Sequence, residues 1–425
     1  MEVGGRLLVD SASFTVMPRD KVGIVGRNGA GKTSLFKVLG GANEPKAGKV
    51  LRKGGFGYLP QDPKIDSALD GRSCVTHVLS GRGIDDEITR IEKLRISMEE
   101  NPDERNVTRY TAAEEAFRTN GGYAAESEAR AMAAGLGIPD ERLDQPISTL
   151  SGGERRRVEL ARILFAGSDV LCLDEPTNHL DVDAKAWLLG FLRQYKGALL
   201  VISHDLELLD ESITRVLHLD RATETDVGEI FEYRGTYSQY QRARADDEAR
   251  LAKKAVLQAK EIDRLQTVVD RFGAKATKAA MAHSVEKRIA RLETQRVRGP
   301  QGAKTMTVRF PDPPKCGETV IRASGMCKAY GGPTIFEDID FDLGRGERLL
   351  LLGLNGAGKT SLLRILAGET DADLGDFEFG YQVHAGYYAQ EHDNLRTDQS
   401  LLTNIRDAVP DLSLIHISEP TRPTT

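Results

Sequence analysis

The chain has 425 residues, of which 40% are hydrophobic and 29% charged, and a net charge of −6, which fits two or three ordinary folded domains. No apolar run approaches the roughly 20 residues of a membrane helix, and no secretory signal pattern is visible, so a membrane-spanning or exported chain is not expected. Cys74, Cys172, Cys316 and Cys327 form no C-x-x-C pair, and they read as core residues of a cytoplasmic protein rather than as metal ligands.

Taken in chain order, Lys21–Val25 is a short apolar run that reads as a buried strand, and Ser34–Leu39 reads as a helix closed by glycine. Between them lie Gly26, Arg27, Asn28, Gly29, Ala30, Gly31, Lys32, Thr33 and Ser34, a match to G-x-x-x-x-G-K-[ST]. In such a loop glycines let backbone N–H groups curl around phosphates, the lysine neutralises the outer phosphates, and the threonine hydroxyl ligates Mg²⁺. Strand, loop and helix together aim a helix N-terminus at an anion.

Further along, Gly57–Gln61 is a loop ending in Gln61. The region after it is mostly helical: Ile84–Met98 and Ala112–Leu136 are rich in Glu, Arg and Ala and lack strand alternation, with a turn at Asn101-Pro102-Asp103. Leu150-Ser151-Gly152-Gly153-Glu154 opens a helix whose apolar face is Val158, Ala161, Leu164 and Phe165, a second anion-binding N-terminus. Val170–Asp174 is an apolar strand ending in a carboxylate pair. Asp174 is suited to hold Mg²⁺, and Glu175 to polarise a water for in-line attack on a terminal phosphate. Leu199–Asp205 is another apolar strand, with His204 just past its end.

In this order and spacing the motifs resemble the ATP-binding cassette superfamily. The resemblance implies that Gln61 reaches the Mg²⁺ and the attacking water, that Ser151, Gly152, Gly153 and Glu154 form the signature that grips the nucleotide of a facing cassette, and that His204 is a switch histidine. Many transporters carry Gln where Glu154 stands.

The segment joining the two halves of the chain differs in character. Ala255, Gln258, Ile262, Leu265, Val269 and Phe272 step by threes and fours, and Val285, Ile289 and Leu292 continue the seam on a second helix. Gly273 interrupts the pattern, so an antiparallel helical hairpin is expected. Between Gln241 and Arg298 fifteen Lys or Arg face eight Asp or Glu, which makes the hairpin basic on an otherwise acidic chain. Arg271, Lys275, Lys278 and His283 cluster at its tip without a carboxylate among them. Positive charge at the end of a rigid lever suits nucleic acid phosphates, and the lack of interleaved aromatics favours phosphate and shape recognition over base stacking.

A second phosphate loop follows at Gly353, Leu354, Asn355, Gly356, Ala357, Gly358, Lys359, Thr360 and Ser361, between a run Arg348–Leu352 that reads as a buried strand and a helix at Ser361–Leu366. Tyr330, placed to stack on adenine, has Val3 as its counterpart in the first half. Gln390 is the counterpart of Gln61 and a candidate for nucleotide and Mg²⁺ contact. The first half uses 113 residues from Gln61 to Asp174, whereas 35 follow Gln390, so the second half is expected to lack its own signature, carboxylate pair and switch histidine. Leu412–Arg422 is similar to the conceptual translation of a sequencing adapter, and the biological sequence is expected to end near Asp411.

Two cassettes and a basic helical linker resemble the ABC-F family of ribosome-associated translation factors, and Arg271–Ala280 and Asn178-His179-Leu180-Asp181 are similar to that family's linker tip and to the stretch after its catalytic Glu. The resemblance implies an α/β fold with P-loop NTPase cassettes, one near-complete and one partial, joined by an antiparallel coiled-coil linker. Expected boundaries are 1–237 for the first cassette with its helical subdomain at about 75–165, 238–300 for the linker, 318–411 for the partial second cassette and 412–425 for the tail. It further implies ATP and Mg²⁺ as cofactors, ribosome and tRNA as partners, and cassettes that close head to tail over two ATP molecules. The chain as written is expected to be a weakly active or inactive fragment. A transporter ATPase subunit, which would need a membrane partner but not the basic hairpin, and a tandem-cassette DNA-binding or repair ATPase are the rival readings.

Overall fold

The computed structural model describes residues 2–3, 6–7, 9, 12–61, 71–119, 121–221, 227–272, 279–294, 316–332, 334–353, 356–389, 396 and 398–408. The chain divides into two compact units, residues 1–307 and 308–425.

Unit 1 begins with two short strands, β1 (Glu2–Val3) and β2 (Arg6–Leu7), paired antiparallel. Its core is a six-stranded sheet. The central strand β3 (Lys21–Gly26) leads through the first phosphate loop into α1 (Lys32–Leu39), and β4 (Phe56–Leu59) follows. A helical block comes next: α2 (Cys74–Leu79), α3 (Ile84–Glu100), α4 (Glu104–Thr119), α5 (Gly122–Gly135), α6 (Asp140–Leu143) and α7 (Gly152–Phe165). The helical stretch expected at 112–136 is two helices, because Gly121 takes a left-handed conformation at φ 76° and lets α5 turn back so that Tyr123 meets Phe117 edge-on at 5.2 Å. The turn at Asn101-Pro102-Asp103 separates α3 from α4 as expected.

The chain then returns to the sheet with β5 (Val170–Asp174), α8 (Val182–Gln194), β6 (Ala198–Ile202), α9 (Leu206–Ser212), β7 (Arg215–Asp220) and β8 (Glu229–Arg234). The spatial order is β4-β5-β6-β3-β7-β8, parallel throughout except for β8. Helices cover both faces. Val22 and Ile24 pack with Leu35 and Phe36 of α1 on one side, while Val25, Leu173 and Val201 join the helical block on the other. Burial on both faces is why these strands are written as continuous apolar runs rather than alternating ones.

The unit ends in the long helix α10 (Tyr237–Phe272) and its partner α11 (Ala279–Thr294). Gln258 donates to the Leu292 carbonyl at 2.9 Å and Arg288 to Glu261 at 3.2 Å, so position rises on one helix as it falls on the other and the pair is antiparallel. Leu265 and Ile289 are the buried rungs of the seam.

Unit 2 has a three-stranded antiparallel sheet in the order β10-β9-β11, formed by β9 (Thr319–Ala329), β10 (Thr334–Gly344) and β11 (Leu374–Phe379), with α12 (Lys359–Leu366) packing Leu362 and Ile365 against Ala323 and Met326. A short helix, α13 (Leu401–Ala408), follows. Here one expectation fails: Arg348–Leu352 is not a strand, and Leu349, Leu350 and Leu352 are 54%, 75% and 82% exposed. In unit 1 the equivalent strand β3 is held between β6 and β7, both of which come later in the sequence. Among the described residues of unit 2 no strand plays either part, so the run has no strand neighbour to hydrogen-bond to, and only Leu351 of it packs against the core.

Candidate functional site

A cavity of about 670 Å³ opens at the carboxyl ends of β3, β5 and β6 in unit 1, where open parallel sheets place their ligands. Its floor is the phosphate loop. Gly29 at φ 77° and Gly31 at φ 102° occupy backbone conformations closed to most side chains, and they turn the chain so that α1 starts at Lys32 with its N-terminus facing the cavity. Asn28, Gly29, Gly31, Lys32, Thr33 and Ser34 all line it, while Gly26 ends β3 and Ala30 is buried beneath the loop. The Lys32 ammonium lies across the loop, donating to the carbonyls of Gly26 at 2.8 Å and Arg27 at 3.2 Å. Burial lowers its pKa, and Glu175 and Asp174 pull it back up.

Opposite the loop, β5 delivers Asp174 and Glu175. Asp174 is 1% exposed, and burial pushes its carboxyl above its usual range despite a hydrogen bond with the Thr33 side chain. Its Oδ2 is buried without a hydrogen-bond partner. A buried carboxylate oxygen without a donor, beside a hydroxyl and facing a phosphate loop, is a hard-oxygen donor set that fits Mg²⁺, which takes one or two protein ligands and leaves the rest to phosphates and water. Thr33 and Asp174 would hold the ion, with Gln61 at the cavity wall. Bound there, Mg²⁺ would offset charge on the phosphoryl oxygens.

Glu175 sits in the left-handed region at φ 52°, a strained position for a non-glycine residue. The turn aims its carboxylate at His204, whose backbone N–H donates to Oε2 at 3.2 Å and whose Nε2 lies 3.5 Å from Oε1. Burial raises the Glu175 pKa, more than the His204 N–H lowers it. A carboxylate tuned upward can take a proton from water, and His204, with a side chain 68% exposed, lines the same cavity.

Two arginines not anticipated from the sequence hold this arrangement. Arg156 of α7, 7% exposed, donates to the carbonyls of Asp174 at 2.9 Å and Glu175 at 2.7 Å, pinning the end of β5. Arg221, one residue past β7, lines the cavity and donates to the Gly29 carbonyl at 3.1 Å. Arg156 lies within the run Arg155-Arg156-Arg157, whose residues point to different sides of α7, and Arg221 carries no motif at all.

The signature lies elsewhere in unit 1 and does not line the cavity. Ser151 caps α7, accepting from the Glu154 N–H at 3.3 Å, while the Glu154 carboxylate accepts from the Ser151 N–H at 2.9 Å and its hydroxyl at 2.8 Å. Glu154 thus completes a reciprocal cap that keeps Gly152 and Gly153 at an ordered helix start. In unit 2 the described residues of the second loop match their counterparts in the first: Gly356 and Gly358 are left-handed at φ 83° and 82°, and Lys359 donates to the Gly353 carbonyl at 2.8 Å ahead of Thr360 and Ser361 in α12. Tyr330 is 59% exposed, with the Lys328 ammonium 5.1 Å from its ring centre. Asn355, Gln390, Lys275, Lys278 and the tail 412–425 lie outside the described residues, and Arg271 falls in the last turn of α10.

The sequence profile of the ABC transporter family matches residues 9–178 and 336–414, and an extension profile of the same description matches 223–310, which contains the hairpin. The chain is 35% identical to the probable ATP-binding protein YheS of Haemophilus influenzae over 95% of its own length and 62% of that protein's. It is 33% identical to YheS of Escherichia coli K12 over 96% and 62%. It is 30% identical to the energy-dependent translational throttle protein EttA of H. influenzae, over 98% of this chain and 73% of that one. The chain belongs to the ABC-F family. As an ABC-F protein it is an ATP-binding P-loop protein of the α/β cassette fold. It spans about three fifths of the length of the YheS proteins it matches. No helix among its described residues is long and apolar enough to cross a membrane.

Proposed function

We propose that this chain binds Mg²⁺-ATP in unit 1 and acts, within a complete pair of cassettes, as an ATP-hydrolysing factor on the ribosome, its basic hairpin reaching towards tRNA. The observation that carries the nucleotide half is the convergence of Lys32, Thr33, Asp174, Glu175 and His204 on one cavity at the ends of parallel strands. Lys32 and the loop amides hold the phosphates, Glu175 orients and deprotonates the attacking water, and His204 senses the terminal phosphate. The Ser151–Glu154 cap stands ready to face the nucleotide of a second cassette. Closure head to tail over two nucleotides would join it to the loop at Lys359, with Tyr330 beneath the adenine.

The ribosomal half rests on the hairpin's surplus of cations and on the relative named as a translational throttle. A cytoplasmic place of work follows from that partner. Sedimentation with ribosomes over a salt series tests it, with Arg271, Lys275 and Lys278 each changed to Glu in one variant. The expected result is a weaker, less salt-dependent association, the slope of log affinity against log salt falling by about 2 for three lost phosphate contacts, with nucleotide affinity unchanged. Undiminished association would refute the hairpin's role. Loss of fluorescent-ATP binding in Lys32→Ala, and slowed turnover in Glu175→Gln once a complete second cassette is present, test the catalytic half.

A further inference from the structure

The root of the hairpin closes a small cavity that shares Lys32 and His204 with the larger cavity above the phosphate loop. A second, smaller cavity of about 90 Å³ lies behind the phosphate loop, with Gly26 and Lys32 on one side, Ser203 and His204 on another, and Tyr237, the first residue of α10, closing it. The next residue, Ser238, donates its N–H to Asp210 Oδ1 at 2.6 Å and its hydroxyl to Asp210 Oδ2 at 2.5 Å. Asp210 is on α9, the helix capped by Asp205 immediately after His204.

Two turns up α10, a second anchor grips β7. Arg244 donates to His218 Nε2 at 2.5 Å, and Tyr240 lies 2.8 Å from His218 Nδ1. The same guanidinium nitrogen lies 3.1 Å from His218 Nδ1 and donates to the Tyr240 hydroxyl at 3.1 Å, so it sits against the imidazole and the tyrosine at once. Burial and Arg244 hold the His218 pKa down to about 4, which keeps the ring neutral in this role. His218 pairs with Val25 of β3, and three residues later Arg221 bonds Gly29 of the phosphate loop.

Resting on the Mg²⁺-ATP reading above, we propose that Ser238 and Arg244 are positioning residues through which the first two turns of the hairpin set the phosphate-handling groups, Ser238 by way of α9 and His204, Arg244 by way of His218, β7 and the phosphate loop. The hairpin is then a part of the nucleotide site as well as an arm projecting from it. Such coupling is reciprocal: whatever factor by which bound nucleotide stabilises the root, the root must return to nucleotide affinity.

The test pairs two measurements on the full chain: affinity for a fluorescent ATP analogue with Mg²⁺, and amide hydrogen exchange of residues 237–250 with and without saturating Mg²⁺-ATP. In the wild type, nucleotide should slow exchange of the root about 5- to 10-fold. Ser238→Ala and Arg244→Ala should each lose most of that nucleotide-dependent slowing and weaken binding by a similar factor, while Arg244→Lys, which keeps a donor for His218, should retain part of both. Ser238→Ala removes one hydroxyl and keeps the test open should Arg244→Ala fail to fold. A root that serves only as an anchor would exchange faster in the variants by the same factor with and without nucleotide, at unchanged affinity, and that result overturns the proposal. Failure of the wild type to bind the analogue would overturn the nucleotide reading itself, a distinct outcome visible before any variant is made.

Discussion

Replacing Asp174 with Asn should stabilise the empty protein while abolishing its response to Mg²⁺-ATP. The carboxylate is buried, its Oδ2 has no donor, and its pKa is raised chiefly by burial. Leaving a buried polar atom unsatisfied costs about 1–3 kcal/mol, more when it is charged. Asn removes the charge and can still accept from Thr33, but its amide needs acceptors of its own, so the net gain belongs near the lower end, about 1 kcal/mol. For a unit of 307 residues that raises the unfolding midpoint by roughly 1–2 °C. The sign with pH follows from the direction of the shift. A folded-state pKa above the unfolded one means the contribution to stability is fully present below the unfolded carboxylate range and lost as pH rises through the folded value. The advantage of the variant should therefore be full at neutral pH and vanish in acid. Thermal melts of both proteins with chelator, and again with Mg²⁺-ATP, make the measurement. At one hundred times its dissociation constant the nucleotide should add about 2.7 kcal/mol to the wild type and little to the variant. A variant that melts several degrees below the wild type without nucleotide would refute the claim that Asp174 trades stability for ion binding.

Arg156→Met should lower stability by about 3 kcal/mol in urea titrations, because the carbonyls of Asp174 and Glu175 lose two short bonds from a buried guanidinium. His218, with its pKa pushed down to about 4 by burial and by Arg244 against the opposing charges of Asp220 and Glu248, contributes stability that is present above its unfolded pKa and lost as pH falls from about 6.5 to about 4. On the order of 3 kcal/mol is at stake in that window, and denaturant midpoints for wild type and His218→Gln should converge towards its lower end. Leu265→Ala, at a buried rung of the hairpin, should cost about 2 kcal/mol and speed amide exchange in α10 and α11 while leaving exchange in β3 and β5 unchanged.

Much of this molecule is determined by local sequence. A loop such as Gly26–Ser34 dictates its own conformation, since glycines at left-handed positions and a helix start within nine residues need few outside contacts, and Gly356 and Gly358 of the second copy take the same left-handed positions ahead of α12 without a strand behind them. The apolar runs at Lys21–Val25, Val170–Asp174 and Ala198–Ile202, and the seam from Ala255 to Phe272, likewise announce strand or helix by length and period. What the sequence could not decide was whether each run would find partners. Arg348–Leu352 is as apolar as Lys21–Val25, yet only the latter is a strand, because a parallel strand needs a neighbour brought from far along the sequence to hydrogen-bond to, and β3 has two such neighbours in β6 and β7. The same physical reason hid Arg156, Arg221 and Tyr237. Their roles depend on carbonyls, cavities and rings brought near by folding, and nothing within a few residues of an arginine or a tyrosine records whether it will meet solvent or the back of a phosphate loop.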